Sequence, residues 1–543
     1  MTWGSSPSGD TPEAYSTCAG FRIEHMWLSD GGSSVEGELT LWQLTDVHLQ
    51  SKYSTGSSVY GGCERAAPGR VVPSLELPRG EGESAGPFGN RRCDSPPALL
   101  ASALELVRAE QRTRRGGGAL LLGGDAGALW LGPPGLLPAD AAPNALARVA
   151  LALRLANLSS ALGGPMPVLP CLGNADEPHS LDSDAGAGAG AGLTSLYARA
   201  AEAWAPFFHS TASRAEAAAL ASALGSLRAH GYYARTLGLD AGLGGGAGQP
   251  ADRAVEVIVL NTLTLRAPRG WARSADAART AAAGAARTAA GWAQLAWLEK
   301  CLARAAARSR RVLIFGHTPP LVDWFGSRRR GGPVRGWWEP QLAAKYVEVV
   351  GHHAQGSGGV VFAQLFGALH HDEFALLPAG AAQTRRGSLH HDEFALLLVA
   401  PALTPNGAGF QPAVRALRLS AGREGGGGSG ALSLSDYEQF ALRLQPSNVL
   451  RVAHWRRTYS ARALYGLRSL EAAEWAELLA RMRAAPNSEA LLTYQYASDV
   501  GAPGSEWFFK EPSRLPMLCA IDHGSEAAAF RASGNDVLAV GVG

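Results

Sequence analysis

Short apolar runs recur along the chain at 39–45, 119–122, 168–172, 255–260, 312–315 and 360–366, separated by stretches rich in Ala, Leu and Arg. Runs this short suit β-strands and the stretches between them suit helices, so the layout is α/β. Residues 1–38 are rich in Ser and Gly with little periodicity and read as a disordered leader, with a main domain expected over 39–420. After Gly430 the anchors Tyr437, Phe440, Leu442, Trp455, Tyr459, Tyr465, Leu470, Trp475 and Leu479 read as the apolar face of a C-terminal helical subdomain over 431–525. Low-complexity tracts at 185–192, 241–248, 276–290 and 425–428 read as surface loops or helix extensions.

Composition narrows the class of protein. With 543 residues and 46% hydrophobic content, the chain can bury a large core. Its 49 Lys and Arg against 47 Asp and Glu leave a formal charge of +2, so no nucleic-acid polymer is expected as a partner. No apolar run reaches the ~18 residues of a transmembrane helix, and Met1 to Asp10 lack the basic start and apolar run of a secretory signal. The sequon Asn157-Leu158-Ser159 matters only if the protein enters the secretory route. Six scattered cysteines, Cys18, Cys63, Cys93, Cys171, Cys301 and Cys519, are too few for a disulfide scaffold or a thiolate zinc site.

The candidate chemistry lies where the apolar runs stop. Leu44-Thr45-Asp46-Val47-His48 brings a carboxylate and an imidazole off one strand, and Gly123-Gly124-Asp125 supplies a second carboxylate after a sharp turn. Gly173-Asn174-Ala175-Asp176 adds an amide oxygen, and Gly316-His317 and Gly367-Ala368-Leu369-His370 add imidazoles. Singly, Asp or Asn after a strand is a common turn former and Gly-His an ordinary cap. The ordered series of five, each at an edge where α/β folds build their sites, reads instead as one oxygen and nitrogen ligand set.

That series resembles the calcineurin-like metallophosphoesterases, whose pattern runs DxH, GD, GNH(D/E), GH and GHxH. Tyr60-Gly61-Gly62-Cys63, Phe88-Gly89-Asn90-Arg91-Arg92-Cys93-Asp94-Ser95-Pro96, Val259-Leu260-Asn261-Thr262, His371-Asp372-Glu373-Phe374, Ala400-Pro401-Ala402-Leu403-Thr404-Pro405 and Tyr459-Ser460-Ala461-Arg462 are similar to the acid sphingomyelinase-like branch, over about residues 39–501. The resemblance implies a four-layer α/β/β/α sandwich with a dinuclear site of two divalent metal ions, zinc by analogy, although the ligand set also suits manganese or iron. Carried over, Asp46, His48 and His370 would hold one ion and Asn174 and His317 the other, with Asp125 shared. Asp125 and Asn174 are then the expected catalytic residues, and a metal-bridging hydroxide would attack phosphorus. The branch also implies a Cys63 to Cys93 disulfide in an oxidising compartment. It implies a small phosphodiester, nucleotide or phospholipid substrate, and a secreted or lysosomal/vacuolar location, although no signal peptide is visible in this chain.

Two positions depart from the family pattern. Ala175 stands where a histidine is expected to assist the leaving oxygen, and Ala368 stands where GHxH places its first imidazole. His371 points to the opposite side of an extended segment from its neighbour, which leaves the loop residue His179 as the candidate substitute. Residues 369–377 (LHHDEFALL) recur at 389–397, with Ser388 at the place equivalent to Ala368. His370, which follows the apolar run 360–366, is the preferred ligand and His390 the alternative. Losing a positioned general acid costs ~10²- to 10⁴-fold in rate. The expectation is therefore a metal-dependent phosphoric ester hydrolase with a weakened second site, and its rival is a degenerate pseudoenzyme. Trp324-Phe325 and Trp337-Trp338 are candidates for a substrate mouth or lipid contact.

Overall fold

The computed structural model describes residues 38–59, 62–64, 84–114, 116–127, 141–156, 158, 165–177, 189–209, 213–239, 253–267, 277–323, 335–354, 359–378, 394–406, 410–421, 432–485 and 488–498. Among them, strands form two six-stranded mixed sheets. In the first, β1 (Glu38–Leu44), β2 (Gly117–Leu122) and β3 (Val168–Pro170) run parallel, and β10 (Ala413–Ala421), β11 (Leu432–Leu442) and β12 (Trp455–Ser460) continue antiparallel beyond β1. In the second, β5 (Ala254–Val259), β6 (Arg311–Phe315), β7 (Val361–Phe366) and β9 (Phe394–Val399) are parallel, with β4 (Tyr233–Gly238) and β8 (Glu373–Pro378) as antiparallel edges.

The second sheet is apolar on both faces because both are covered. Val255, Val257, Val259, Leu313 and Phe315 join the core shared with the first sheet. Their alternating neighbours Ile258, Val312 and Ile314 pack with Leu295, Leu298 and Leu302 of one helix, α5 (Ala277–Ala307), and with Leu342, Tyr346 and Val350 of another, α6 (Pro340–Ala354). Helices α1 (Pro97–Thr113), α2 (Ala141–Leu155), α3 (Ala189–Trp204) and α4 (Arg214–His230) contribute to the shared core. The result is the expected sandwich of two sheets flanked by helices. Among the described residues no helix is long and apolar enough to cross a membrane.

Two expectations need correction or refinement. The segment after Gly430 is not all helical: Tyr437, Phe440 and Leu442 lie on β11, and Trp455 and Tyr459 on β12. Leu432-Ser433-Leu434-Ser435 has a period of two, and pairing with β10 decides the conformation of residues that helical spacing also fits. Helical structure follows as α7 (Leu444–Leu450), α8 (Ala461–Tyr465), α9 (Ala472–Arg483) and α10 (Glu489–Ser498), the last three after β12. The duplicated sequence supplies both β8 and β9, which pair with each other, Phe374 opposite Leu398 and Leu376 opposite Leu396. The second copy lies beside β7, and the first forms the sheet edge.

Asp372 ties these C-terminal elements to the second sheet. Its carboxylate forms an ion pair with Arg415 at 2.7 Å and accepts the hydroxyls of Tyr437 at 3.1 Å and of Tyr459. Its carbonyl accepts the Ser498 hydroxyl at 2.9 Å. The Arg415 guanidinium also lies over the Tyr437 ring, 4.3 Å from its centroid, and donates through Nε to Gln439.

Candidate metal centre

The loops after β1 and β2 continue side by side beyond their strands, with Asp46 N–H donating to Gly124, His48 N–H to Asp125 and Leu49 N–H to Ala126. That pairing carries Asp46, His48 and Asp125 to one edge. Gly124 has φ +83°, and a Cβ there would lie 2.7 Å from Gly173 N and 2.9 Å from His317 Nδ1, so only glycine lets the loops after β2, β3 and β6 meet. Asp176 clamps the same junction, accepting backbone N–H groups from Asp125 (3.0 Å), Ala126 (2.8 Å), Gly127 (3.2 Å) and Gly173 (2.8 Å). Burial, together with the nearby Asp125 charge, pushes the Asp176 carboxyl up to about 6. The sequence reading assigned it no role, and a buried acid two residues after Gly-Asn was its only signal.

Five expected residues converge. Asp46, His48 and His370 present ligand atoms to one another, as do Asp46, Asp125 and His317. His48 Nε2 lies 3.9 Å from Asp46 Oδ1 and 3.5 Å from Asp125 Oδ2. His317 Nε2 lies 3.9 Å from Asp46 Oδ1 and 3.3 Å from Asp125 Oδ1, and His370 Nε2 lies 3.4 Å from Asp46 Oδ1. Asp46 belongs to both groups, and Asp125 also stands between His48 and His317, so each carboxylate spans the cluster. Asn174 is half-buried in the adjoining loop, next to Ala175, whose N–H donates to Asp125 Oδ1 at 2.6 Å. His179 and His390 lie outside the described residues, as do Asn157, Trp324 and Phe325.

Each imidazole is oriented from behind by a carbonyl: Nδ1 of His48 faces Gly127 O at 2.9 Å, that of His317 faces Gly123 O at 2.7 Å and that of His370 faces Asn406 O at 3.2 Å. A carbonyl only accepts, so Nδ1 carries a proton and, in the neutral imidazole, the Nε2 lone pair faces the cluster. Asp46 is turned the same way, because Oδ2 takes the Thr45 hydroxyl at 2.6 Å and the Ala368 N–H at 3.0 Å, leaving Oδ1 inward. Asp46 Oδ1, His48 Nε2 and His317 Nε2 are buried and have no hydrogen-bond partner. Leaving such atoms unsatisfied costs ~1–3 kcal/mol each, and a cation among them removes that cost. The donor set therefore fits divalent metal ions.

Electrostatics and backbone strain agree with this reading. Burial pushes the Asp46 carboxyl up, but His317, His370 and His48 outweigh it and hold the group well below the usual carboxylate range. Burial pushes His317 down, while Asp125 and Asp46 raise it further, to about 9. Asp46, His48, Asp125, Ala368 and His370 all have left-handed backbone, with φ between 42° and 66°. Such non-glycine residues cost about 1–3 kcal/mol each and gather where function over-determines them.

No family model matches the chain. It is 23% identical to the human acid sphingomyelinase-like phosphodiesterase 3b over 442 residues, covering 81% of this chain and 79% of the relative. The mouse protein of the same name is 21% identical over 482 residues, covering 89% of this chain and 87% of that one. The chain is a homologue of the acid sphingomyelinase-like phosphodiesterases. A sphingomyelin phosphodiesterase A from Dictyostelium discoideum is 24% identical over 81% of this chain and 59% of its own length. A dimetal phosphatase from Danio rerio has a TM-score of 0.35 at 14% identity, covering 74% of this chain and 95% of that one.

Other motifs of this branch serve the centre from outside. Cys63 and Cys93 form a disulfide with Cα atoms 6.0 Å apart. From the segment after Cys93, Asp94 accepts the Asn406 side-chain amide at 2.8 Å, and Asn406 O faces His370. Trp338 is buried rather than available to a lipid or substrate: it packs on Tyr346 and Phe366 and donates to Thr318 O at 2.9 Å, beside His317.

Proposed function

We propose that the chain is a metal-dependent phosphodiesterase that hydrolyses a phosphodiester or phosphoanhydride bond in a lipid headgroup or nucleotide. The observation that carries this reading is the convergence of buried, unpartnered Asp46 Oδ1, His48 Nε2 and His317 Nε2. Asp46, His48 and His370 would hold one divalent ion, and Asp46, Asp125 and His317, with Asn174 alongside, a second; zinc is the expected metal by analogy with the branch. Such ions, when bound, acidify water and neutralise phosphoryl oxygens. The chain's own groups orient the site: three carbonyls fix the imidazole tautomers, and Thr45 and the Ala368 N–H turn Asp46 inward. Ala175 brings no proton donor to the leaving oxygen, so esters whose leaving group needs no proton are the preferred substrates.

A second reading, a pseudoenzyme that keeps the fold and partial metal binding, is favoured by one observation. At position 368 only a backbone N–H reaches the site, where the family pattern has an imidazole. Metal content measured beside hydrolysis of bis-p-nitrophenyl phosphate separates the two. About two ions per chain and turnover lost in Asp125→Ala support the enzyme. One ion or none, with turnover appearing only in Ala175→His/Ala368→His, supports the pseudoenzyme.

A further inference from the structure

At the opposite end of the second sheet from His317, a cavity of about 350 Å³ opens between α4, α5 and the strands β4 and β5. The alternation along β5 places Val255, Val257 and Val259 in the core between the sheets and turns Glu256 to the other face, the one that carries Ile258. Glu256 is only 9% exposed, and no ion pair or hydrogen bond to its carboxylate occurs among the described residues. Around it stand Arg304 near the end of α5, Arg308 just past it, Arg310 and the Trp297 indole. Glu216 lines the same cavity.

None of these three arginines forms an ion pair among the described residues, although all border one small space with a buried carboxylate. Arg310 donates to Thr236 Oγ1 at 3.2 Å while its Nε is buried without a partner; Arg235, opposite Val257, turns to the other face and donates to the carbonyls of Phe207 and Val168. Arg304 and Arg308 are exposed at the rim. A helix C-terminus attracts cations, which accounts for Arg304 but not for a desolvated acid onto which no guanidinium closes. Unpaired buried charge is costly, and the gap is of the size at which ligand sites begin, ~300 Å³.

We propose that this cavity binds a small phosphomonoester that also carries an ammonium or hydroxyl donor. The phosphoryl oxygens match the guanidinium forks of Arg304, Arg308 and Arg310, and the donor matches the Glu256 carboxylate. Trp297 forms an apolar wall. The inference is independent of the metal centre, since no residue is shared.

Titration calorimetry on the metal-loaded chain with O-phosphoethanolamine and with inorganic phosphate tests it. Arg304→Ala/Arg308→Ala is expected to weaken phosphoethanolamine binding at least tenfold, with the melting temperature and bis-p-nitrophenyl phosphate hydrolysis unchanged. Glu256→Gln is expected to abolish the preference for phosphoethanolamine over phosphate. Equal affinity in the wild type and the double variant overturns the proposal, as does binding that Asp125→Ala alone removes, which would place the ligand at the metal centre. Vesicles containing phosphatidylethanolamine form a further arm. Sedimentation with them that depends on Arg304 and Arg308, without binding of the soluble ester, would assign a membrane headgroup and overturn the small-molecule reading. If Arg304→Ala/Arg308→Ala misfolds, Arg308→Glu carries the same test from an exposed position.

Discussion

Two buried polar clusters lie on either side of His371 in one loop: His370 enters the first and Asp372 anchors the second. In the first, Asp46, Asp125 and three imidazoles converge, and Asp46 Oδ1, His48 Nε2 and His317 Nε2 have no hydrogen-bond partner. In the second, the Asp372 carboxylate is met by Arg415, Tyr437 and Tyr459. Both are rich in charge and both are desolvated, so burial alone does not distinguish a site from a keystone. The distinction lies at the carboxylates: Asp372 finds its counter-charge and its donors within the chain, whereas Asp46 Oδ1 has no hydrogen-bond partner.

The largest effects should break this contrast from the site's side. Asp46→Asn is expected to lower hydrolysis of bis-p-nitrophenyl phosphate by more than about 10³-fold, since it removes a charge common to both ligand groups. Its melting temperature in chelator should fall only modestly, because the substitution removes the attraction of His317, His370 and His48 for the carboxylate but also a desolvated charge. A collapse of the metal-free fold would count against the cluster being an unfinished site. Arg415→Leu should do the reverse. Removing one partner of a buried pair costs ~3–5 kcal/mol, and Arg415 is fully buried, so denaturant melts should shift by that order while activity per folded molecule stays near wild type. Unchanged stability would mean the Asp372 cluster is not a keystone.

The link between the loop and the Cys63 to Cys93 segment sharpens the comparison. Asp94 reaches His370 through Asn406, so it acts as a positioning residue. Asp94→Ala is expected to weaken the ion held by His370 by about 10–100-fold, the usual cost of losing a group behind a metal ligand. Asp94→Asn, which keeps an oxygen acceptor, should restore much of that affinity in a metal titration. Equal losses in both variants would point to general destabilisation instead.

What could be read in advance follows the range of the interactions. Asp46, His48, Asp125, His317 and His370 were legible because each is a ligand-type residue just past its own apolar strand, a pattern confined to a few neighbours. The clamp by Asp176 depends on four N–H groups from two loops, and the Asp94 to Asn406 bond joins residues 312 positions apart. The second has no local signature, and the first has only the place of Asp176 two residues after Gly-Asn. The strands β11 and β12 were missed for a related reason: Tyr437, Phe440 and Leu442 satisfy helical spacing, and only the partner strand β10 selects extended backbone. The left-handed φ of Ala368 was equally hidden, since nothing about an alanine announces that its N–H will hold Asp46.

The smallest effect lies on the first sheet, where a partly exposed pair shows what a paired carboxylate contributes near solvent. Glu438 accepts Arg114 at 2.6 Å and Arg457 at 2.7 Å, and the Arg457 side chain is 36% exposed. Burial pushes the Glu438 carboxyl up, but Arg114 and Arg457 outweigh it and hold the group below its ordinary value. A depressed folded pKa stabilises the protein above the unfolded value, near 4.3, and that stabilisation fades as pH falls through the folded value. With solvent screening, Glu438→Gln should cost no more than about 1 kcal/mol at pH 7. The melting difference from wild type should close as pH drops below about 4. A gap of constant size across that range would mean that the glutamate acts through packing and not through its charge.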